Sequence, residues 1–157
     1  MNKLRPISDE VVGTDATGAW VCGTEGIAGF VAFDRSGQVV DYVHVKVETP
    51  TRLAVESHSG TTTGFDRRSG SVVSTATVRV GAKLNLSATP FGTNGTALAG
   101  AVPYAWTPTT DGIVRVTNLG TPANPSAFVT VTGVKAGTTR IRVEGAGVST
   151  EFEVGVQ

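Results

Sequence analysis

The sequence predicts an all-β fold, one complete sandwich preceded by part of another, and three observations lead there. Glycine is abundant, at 20 of 157 residues. Valine and threonine fill the periodic stretches while Met, Leu and the charged helix formers are scarce, a bias that suits pleated surfaces and tight turns. Short runs of period-2 alternation recur between turn signals. Residues 104–156 also repeat much of residues 3–47. Gly26-Ile27-Ala28-Gly29-Phe30-Val31-Ala32-Phe33 aligns with Gly137-Thr138-Thr139-Arg140-Ile141-Arg142-Val143-Glu144. Val43-His44-Val45-Lys46-Val47 falls on Phe152-Glu153-Val154-Gly155-Val156, the first copy having a longer hairpin turn. Upstream, Arg5-Pro6-Ile7-Ser8-Asp9-Glu10-Val11-Val12 falls on Thr107-Pro108-Thr109-Thr110-Asp111-Gly112-Ile113-Val114. Such self-similarity points to an array of domains.

The elements follow in order. Ala19 to Cys22, Ile27 to Phe33 and Val39 to Val47 read as strands, punctuated by Gly23-Thr24-Glu25-Gly26 and Asp34-Arg35-Ser36-Gly37. Val43, Val45 and Val47 alternate with His44 and Lys46, so this strand is expected to close a sandwich with one wet face. Glu48-Thr49-Pro50 is a linker, because Pro50 has no amide to give a ladder and biases Thr49 toward extended geometry. Arg52 to Glu56 begins the next domain, and Ser57 to Ser71 is expected to be an exposed loop. Ala76, Val78 and Val80, then Leu84, Leu86 and Ala88, predict sequential strands facing one core. Phe91 to Ala101 is a second loop in which Asn94-Gly95 favours a tight turn. Tyr104-Ala105-Trp106 supplies the indole that fills the middle of the sandwich, a burial contributing on the order of 3 kcal/mol or more.

Ile113 to Asn118, Ala127 to Thr132, Thr138 to Glu144 and Ser149 to Val156 complete the set. Ile141, Val143, Phe152, Val154 and Val156 are expected to point inward. Arg140, Arg142, Glu151 and Glu153 then share the wet face, where opposite charges would pair across the hairpin for at most about 1 kcal/mol each. Strands at this spacing around a central Trp, with no helix, predict an immunoglobulin-like β-sandwich with an additional N-terminal β-hairpin or half-module.

Length suits one complete domain of about 100 residues plus a partial one. Lys and Arg (13) balance Asp and Glu (13), and no basic stripe interleaved with aromatics marks a nucleic-acid binder. No apolar run approaches the roughly 20 residues that cross a bilayer, so no membrane insertion is expected. Met1-Asn2-Lys3-Leu4-Arg5-Pro6 lacks the apolar core of a signal peptide. Cys22, the single cysteine, excludes an intrachain disulfide and reads as a small buried or half-buried thiol.

The series Tyr104-Ala105-Trp106-Thr107-Pro108, then Ile113-Val114-Arg115-Val116, then Val131-Thr132-Gly133-Val134-Lys135-Ala136-Gly137-Thr138-Thr139-Arg140-Ile141-Arg142-Val143 resembles bacterial immunoglobulin-like domains of the invasin and intimin type. In that family a tryptophan strand is followed by an x-A-G-T-x-x-I-x-V run and a final valine-rich strand. The resemblance covers residues 51–157 fully and 3–47 as the back half of a preceding copy. It implies a partial module at 1–48 and a complete domain at 49–157. It also implies a non-enzymatic structural or adhesion module of a cell-surface or envelope protein, a spacer or a protein or carbohydrate contact domain. The expected location is extracytoplasmic, at the surface or in the periplasm, within a longer exported chain. Such domains also occur on bacteriophage virions, so a capsid decoration or tail-associated protein is the alternative.

Chemistry-bearing residues are sparse. His44 reads as a solvated surface histidine, and His58, with Ser57, Ser59 and Asp66, as part of a loop rather than of a triad. Asp9, Glu10, Asp34, Asp41, Asp66 and Asp111 lack the dense alternation of a calcium loop. No catalytic residue, metal or cofactor is expected. Asn85-Leu86-Ser87 and Asn94-Gly95-Thr96 match the glycosylation pattern but read as structural. The binding-loop candidates are Phe65, Asp66, Arg67 and Arg68 in the first loop and Phe91 and Leu98 in the second, since an aromatic beside arginine is a common contact composition. Ala19 to Val47 leave an apolar face and open edges, so the half-module is expected to be completed by a protein partner or another copy, or else to pack against the second domain as an extended sheet. A surface glycan is a further candidate ligand.

Overall fold

The structure is a computed structural model that describes residues 3–58, 70–100, 102–121 and 126–157. The chain forms two compact units, Met1–Thr49 and Pro50–Gln157. The first contains β1 (Lys3–Pro6), β2 (Val12–Thr14), β3 (Trp20–Cys22), β4 (Gly26–Phe33) and β5 (Val39–Val47). The second contains β6 (Arg52–His58), β7 (Ser71–Val72), β8 (Thr75–Val78), β9 (Lys83–Phe91), β10 (Ala105–Pro108), β11 (Val114–Asn118), β12 (Phe128–Gly133), β13 (Gly137–Gly145) and β14 (Val148–Val156).

The second unit is an immunoglobulin-like sandwich. One sheet has the order β10-β13-β14-β8 and the other β11-β12-β9-β6-β7. All its pairings are antiparallel ladders except β14 with β8, which run parallel. Between the sheets lie Leu53, Val55, Val78, Leu86, Trp106, Val129, Val131, Ile141, Val143, Phe152, Val154 and Val156. Along β13 and β14 burial alternates as the valine pattern requires: Ile141, Val143, Phe152 and Val154 are buried while Arg140, Arg142, Glu151 and Glu153 are exposed. Ala146-Gly147 closes this hairpin with positive φ at both residues (51° and 78°), the mirror-image turn whose twist matches the flanking strands.

In the first unit the sheet order is β1-β4-β5, with β2-β3 as a second layer. The repeat is visible bond by bond. Pro6 pairs with Phe30 as Pro108 pairs with Ile141, and Val12 with Cys22 as Val114 with Gly133. Ile7 N donates to Gly29 O at 2.8 Å, and Thr109 N to Arg140 O at 2.8 Å. Gly23 N donates to Val11 O at 2.9 Å, and Val134 N to Ile113 O at 2.9 Å. Gly26 and Gly137 have φ of 155° and 150°, a region in essence reserved for glycine. Among the described residues of the first unit no strand occupies the places of β6, β7, β8 and β9. Its core is correspondingly small: Val11, Val12, Ala28 and Phe30, with Val47 packed against them.

Several expectations are corrected. Of the β5 valines only Val47 packs on the small core; Val43 and Val45 are 54% and 38% exposed, because among the described residues the β2-β3 layer has no further strands to cover them. Cys22 is exposed rather than buried, since β3 has no neighbour beyond β2. Of the expected loop Ser57 to Ser71, Ser57 and His58 belong to β6 and Ser71 opens β7, as they pair with β9 and β6 respectively; residues 59–69 lie outside the described residues. Val80 lies beyond the end of β8 and is exposed. Across the β13–β14 hairpin Arg142 stands opposite Glu151, yet its guanidinium donates to Glu144 Oε1 at 2.6 Å along its own strand. At the Asn94-Gly95 turn only Gly95 takes a positive φ (72°). Gly95 N donates to Gly92 O and Gly92 N to Thr96 O, a turn whose left-handed position falls on glycine alone.

The first unit uses one turn device twice. Asp15 Oδ1 accepts from Thr17 Oγ1 (2.7 Å), Thr17 N (2.8 Å) and Ala19 N (3.0 Å). Asp34 Oδ1 accepts from Ser36 Oγ (2.7 Å), Ser36 N (2.8 Å) and Gln38 N (2.9 Å). The Thr17 and Ser36 hydroxyls, then the backbone amides, hold both carboxyls below the usual range. A folded-state pKa below the unfolded value stabilises fully above the ordinary range near 4, and that contribution is lost as pH falls through the lowered value. Acidification should therefore loosen these hairpins first, seen as upfield amide shifts of Thr17 and Ser36 by NMR. The change at Ser36 should vanish in Asp34→Asn, and its persistence there would count against the assignment.

Candidate binding surfaces

The sequence candidates separate on the structure. Phe65, Asp66, Arg67 and Arg68 lie outside the described residues. Phe91 belongs to the end of β9 rather than to a loop, and its ring lies under the Arg52 guanidinium, 3.9 Å from carbon to centroid. That stacking places the aromatic and a cation together at the start of β6, because Arg52 pairs with Phe91 in register. Leu98 is held back against β9 by its amide, which donates to Pro90 O at 2.8 Å. It faces a different surface, a cavity of about 270 Å³ shared with Glu56, His58, Ser87, Tyr104 and Phe128. Phe91 and Leu98 therefore do not form one patch.

Sequence reading missed most of this cavity. Glu56 and His58 come from the second half of β6 and Ser87 from the middle of β9, where alternation marks Leu86 and Ala88 as core but leaves Ser87 unremarked. The available signal was polar Asn85 and Ser87 on either side of Leu86 in the middle of β9. Both are buried, since β9 lies between β6 and β12. Each is engaged: Thr130 Oγ1 donates to Asn85 Oδ1 at 3.2 Å, and Ser87 Oγ lies 2.8 Å from His58 Nε2. The His58 ring tilts against Phe128 at 5.4 Å between centroids. The imidazole Nε2 and the hydroxyl so placed engage each other inside a sheet, as buried polar groups require. Tyr104 is buried too, its hydroxyl finds no hydrogen-bond partner among the described residues, and burial pushes its pKa up.

The other distinct surface is the apolar side of the first unit. Trp20, Val43 and Val45 are exposed, while their repeat counterparts Val131, Phe152 and Val154 are buried in the second unit. Trp20 meets Phe30 edge-on at 5.0 Å between ring centroids. His44 is exposed, as expected, and stacks edge-on with Tyr42.

No protein-family model matches the chain, and no curated protein matches it. Solved structures do. The S-layer protein SbsC is 19% identical, with a TM-score of 0.49 over 99% of this chain and 20% of that one. The adhesin InvE of Yersinia pseudotuberculosis is 15% identical, with a TM-score of 0.47 over 100% of this chain and 49% of that one. A β-glycosidase from Bacteroides vulgatus is 13% identical, with a TM-score of 0.46 over 88% of this chain and 19% of that one. The chain thus spans half or less of the length of these proteins.

Proposed function

We propose that the chain is a non-enzymatic structural or adhesion module of a bacterial cell-surface or envelope protein, a spacer in series with domains of its own kind. The observation that carries this reading is the repeat itself: the same half-sandwich is built twice along one chain, at the same register and with the same turn hydrogen bonds. The buried polar side chains His58, Ser87, Asn85 and Thr130 serve sheet packing. The resemblance to invasin- and intimin-type domains supports an extracytoplasmic location, and the virion alternative gains nothing from the structures named above.

The second unit is also built to carry tension between its ends. β8 lies parallel to the final strand β14, with Gln157 N donating to Val78 O (3.0 Å) and Val80 N to Gln157 O (2.8 Å). Pulling β8 toward its start and β14 toward its end shears these bonds together instead of peeling them singly. Forced unfolding follows the unfolding rate, so this patch should set it. Stretching the chain between its termini should give one resolvable force peak for residues 50–157. Val80→Pro, which deletes an exposed residue's donor without emptying the core, should lower that peak. Extension of the second unit without a measurable peak would sink the spacer reading.

A further inference from the structure

We propose that Glu25 is a latch on the joint between the two units, fixing the chain at Thr49 so that the units tumble together and do not swing on a free linker. The inference rests on the spacer reading and names the residue that stiffens the spacer. The Glu25 side chain reaches past the end of β5: its Oε1 accepts from Thr49 N at 2.6 Å, two residues beyond Val47, which pairs with Gly26 at the end of the β4-β5 ladder. The turn that carries Glu25 is itself pinned, with Gly23 N donating to Val11 O at 2.9 Å and Thr24 N to Glu10 O at 3.0 Å. Past the joint, Thr51 N donates to Phe91 O at 2.8 Å. Each of these bonds lies within its own unit. Between the two anchored amides stands Pro50, whose ring fixes its own φ and keeps Thr49 extended. Rotation about ψ of Pro50 is then the main backbone freedom left in the joint.

The second unit shows that the turn does not need the carboxylate. Gly137 matches Gly26 and has nearly the same φ, 150° against 155°, but the residue before it is Ala136, which offers no side-chain acceptor. An alanine builds the same turn, so the Glu25 side chain has a task outside it. Its surroundings keep it ionised: the Thr49 hydroxyl first, then the Thr49 amide, hold the carboxyl below its usual range, with Lys46 adding to the effect and Glu48 opposing it. An ionised acceptor makes a stronger hydrogen bond than a neutral one. Lys46 Nζ pairs with Glu48 Oε2 at 2.7 Å, a contact that does not involve Thr49 N and so provides a control.

The test is NMR of the full chain, reading solvent exchange at the Thr49 amide and the rotational correlation time of each unit from amide nitrogen relaxation. One correlation time common to both units is expected for the native chain. In Glu25→Ala, exchange at Thr49 should quicken about fivefold, the factor that one hydrogen bond supplies, and each unit should acquire its own shorter correlation time. Glu25→Gln keeps a carbonyl acceptor and should stay closer to the native chain in both readings, while Glu48→Ala should match it. Separate correlation times already present in the native chain would overturn the proposal, as would a common time that survives Glu25→Ala. Faster exchange throughout the first unit in Glu25→Ala would also overturn it, by assigning the side chain to the stability of that unit. None of these failures touches the force peak of the second unit, which tests the spacer reading separately.

Discussion

Trp106→Ala is expected to destabilise the second unit by about 3–5 kcal/mol, the range for removing a large buried aromatic. Trp106 is 7% exposed, pairs with Val143 in register and meets Phe152 edge-on at 6.3 Å between centroids. It spans the core from β10, a strand that pairs only with β13, so little else can collapse into the space. Domains of this size are stable by only about 5–15 kcal/mol, and the loss would take much of that. Trp106→Phe separates packing from polarity. The indole Nε1 is buried without a hydrogen-bond partner among the described residues, a state that costs about 1–3 kcal/mol. Phenylalanine removes that cost while shrinking the side chain, so its net effect should stay below about 2 kcal/mol. Urea unfolding followed by NMR of second-unit amides gives both values. Equal losses for the two variants would mean that the indole nitrogen, not the ring volume, is what the site needs.

Gly137→Ala should cost about 2–4 kcal/mol, combining backbone strain with overpacking. Its φ of 150° is one that L side chains rarely adopt, and an added Cβ would meet Ile113 Cδ1 at 2.9 Å. The Ile113 backbone is held there, because Val134 N and Lys135 N both donate to Ile113 O, so the contact is relieved only by rotation of the Ile113 side chain and the backbone strain at residue 137 remains. Gly26→Ala is the internal control. There φ is 155° and the contact is Val11 Cγ2 at 3.0 Å, the same geometry in a much smaller core. The prediction is that each substitution perturbs the amides of its own unit, and that Gly137→Ala lowers the midpoint of the second unit's urea transition. An unchanged midpoint would show that the backbone relaxes out of the glycine region without cost.

What the sequence determined by itself is the local layer. Alternation of valine with polar residues located Val39–Val47 to the residue, and the inward set Ile141, Val143, Phe152, Val154 follows from the same rule. The central tryptophan and the matched glycines at 26 and 137 were equally legible, because a period of 2 and a φ open only to glycine are properties of the chain over a few residues. His58 and Ser87 were not. Their burial comes from lying in adjacent central strands, a neighbourhood assembled from residues 29 positions apart.

Tertiary structure decided which of two nearly identical faces is a core. Val43-x-Val45-x-Val47 and Phe152-x-Val154-x-Val156 carry one pattern, yet Val43 and Val45 are 54% and 38% exposed while Phe152 and Val154 are 3% and 0% exposed. Alternation states which side chains share a side of a strand; it does not supply the strands that cover them. Only β14 has β8 beside it and the β9-β6 layer of its own unit to face, and removal of apolar surface from water requires that second layer.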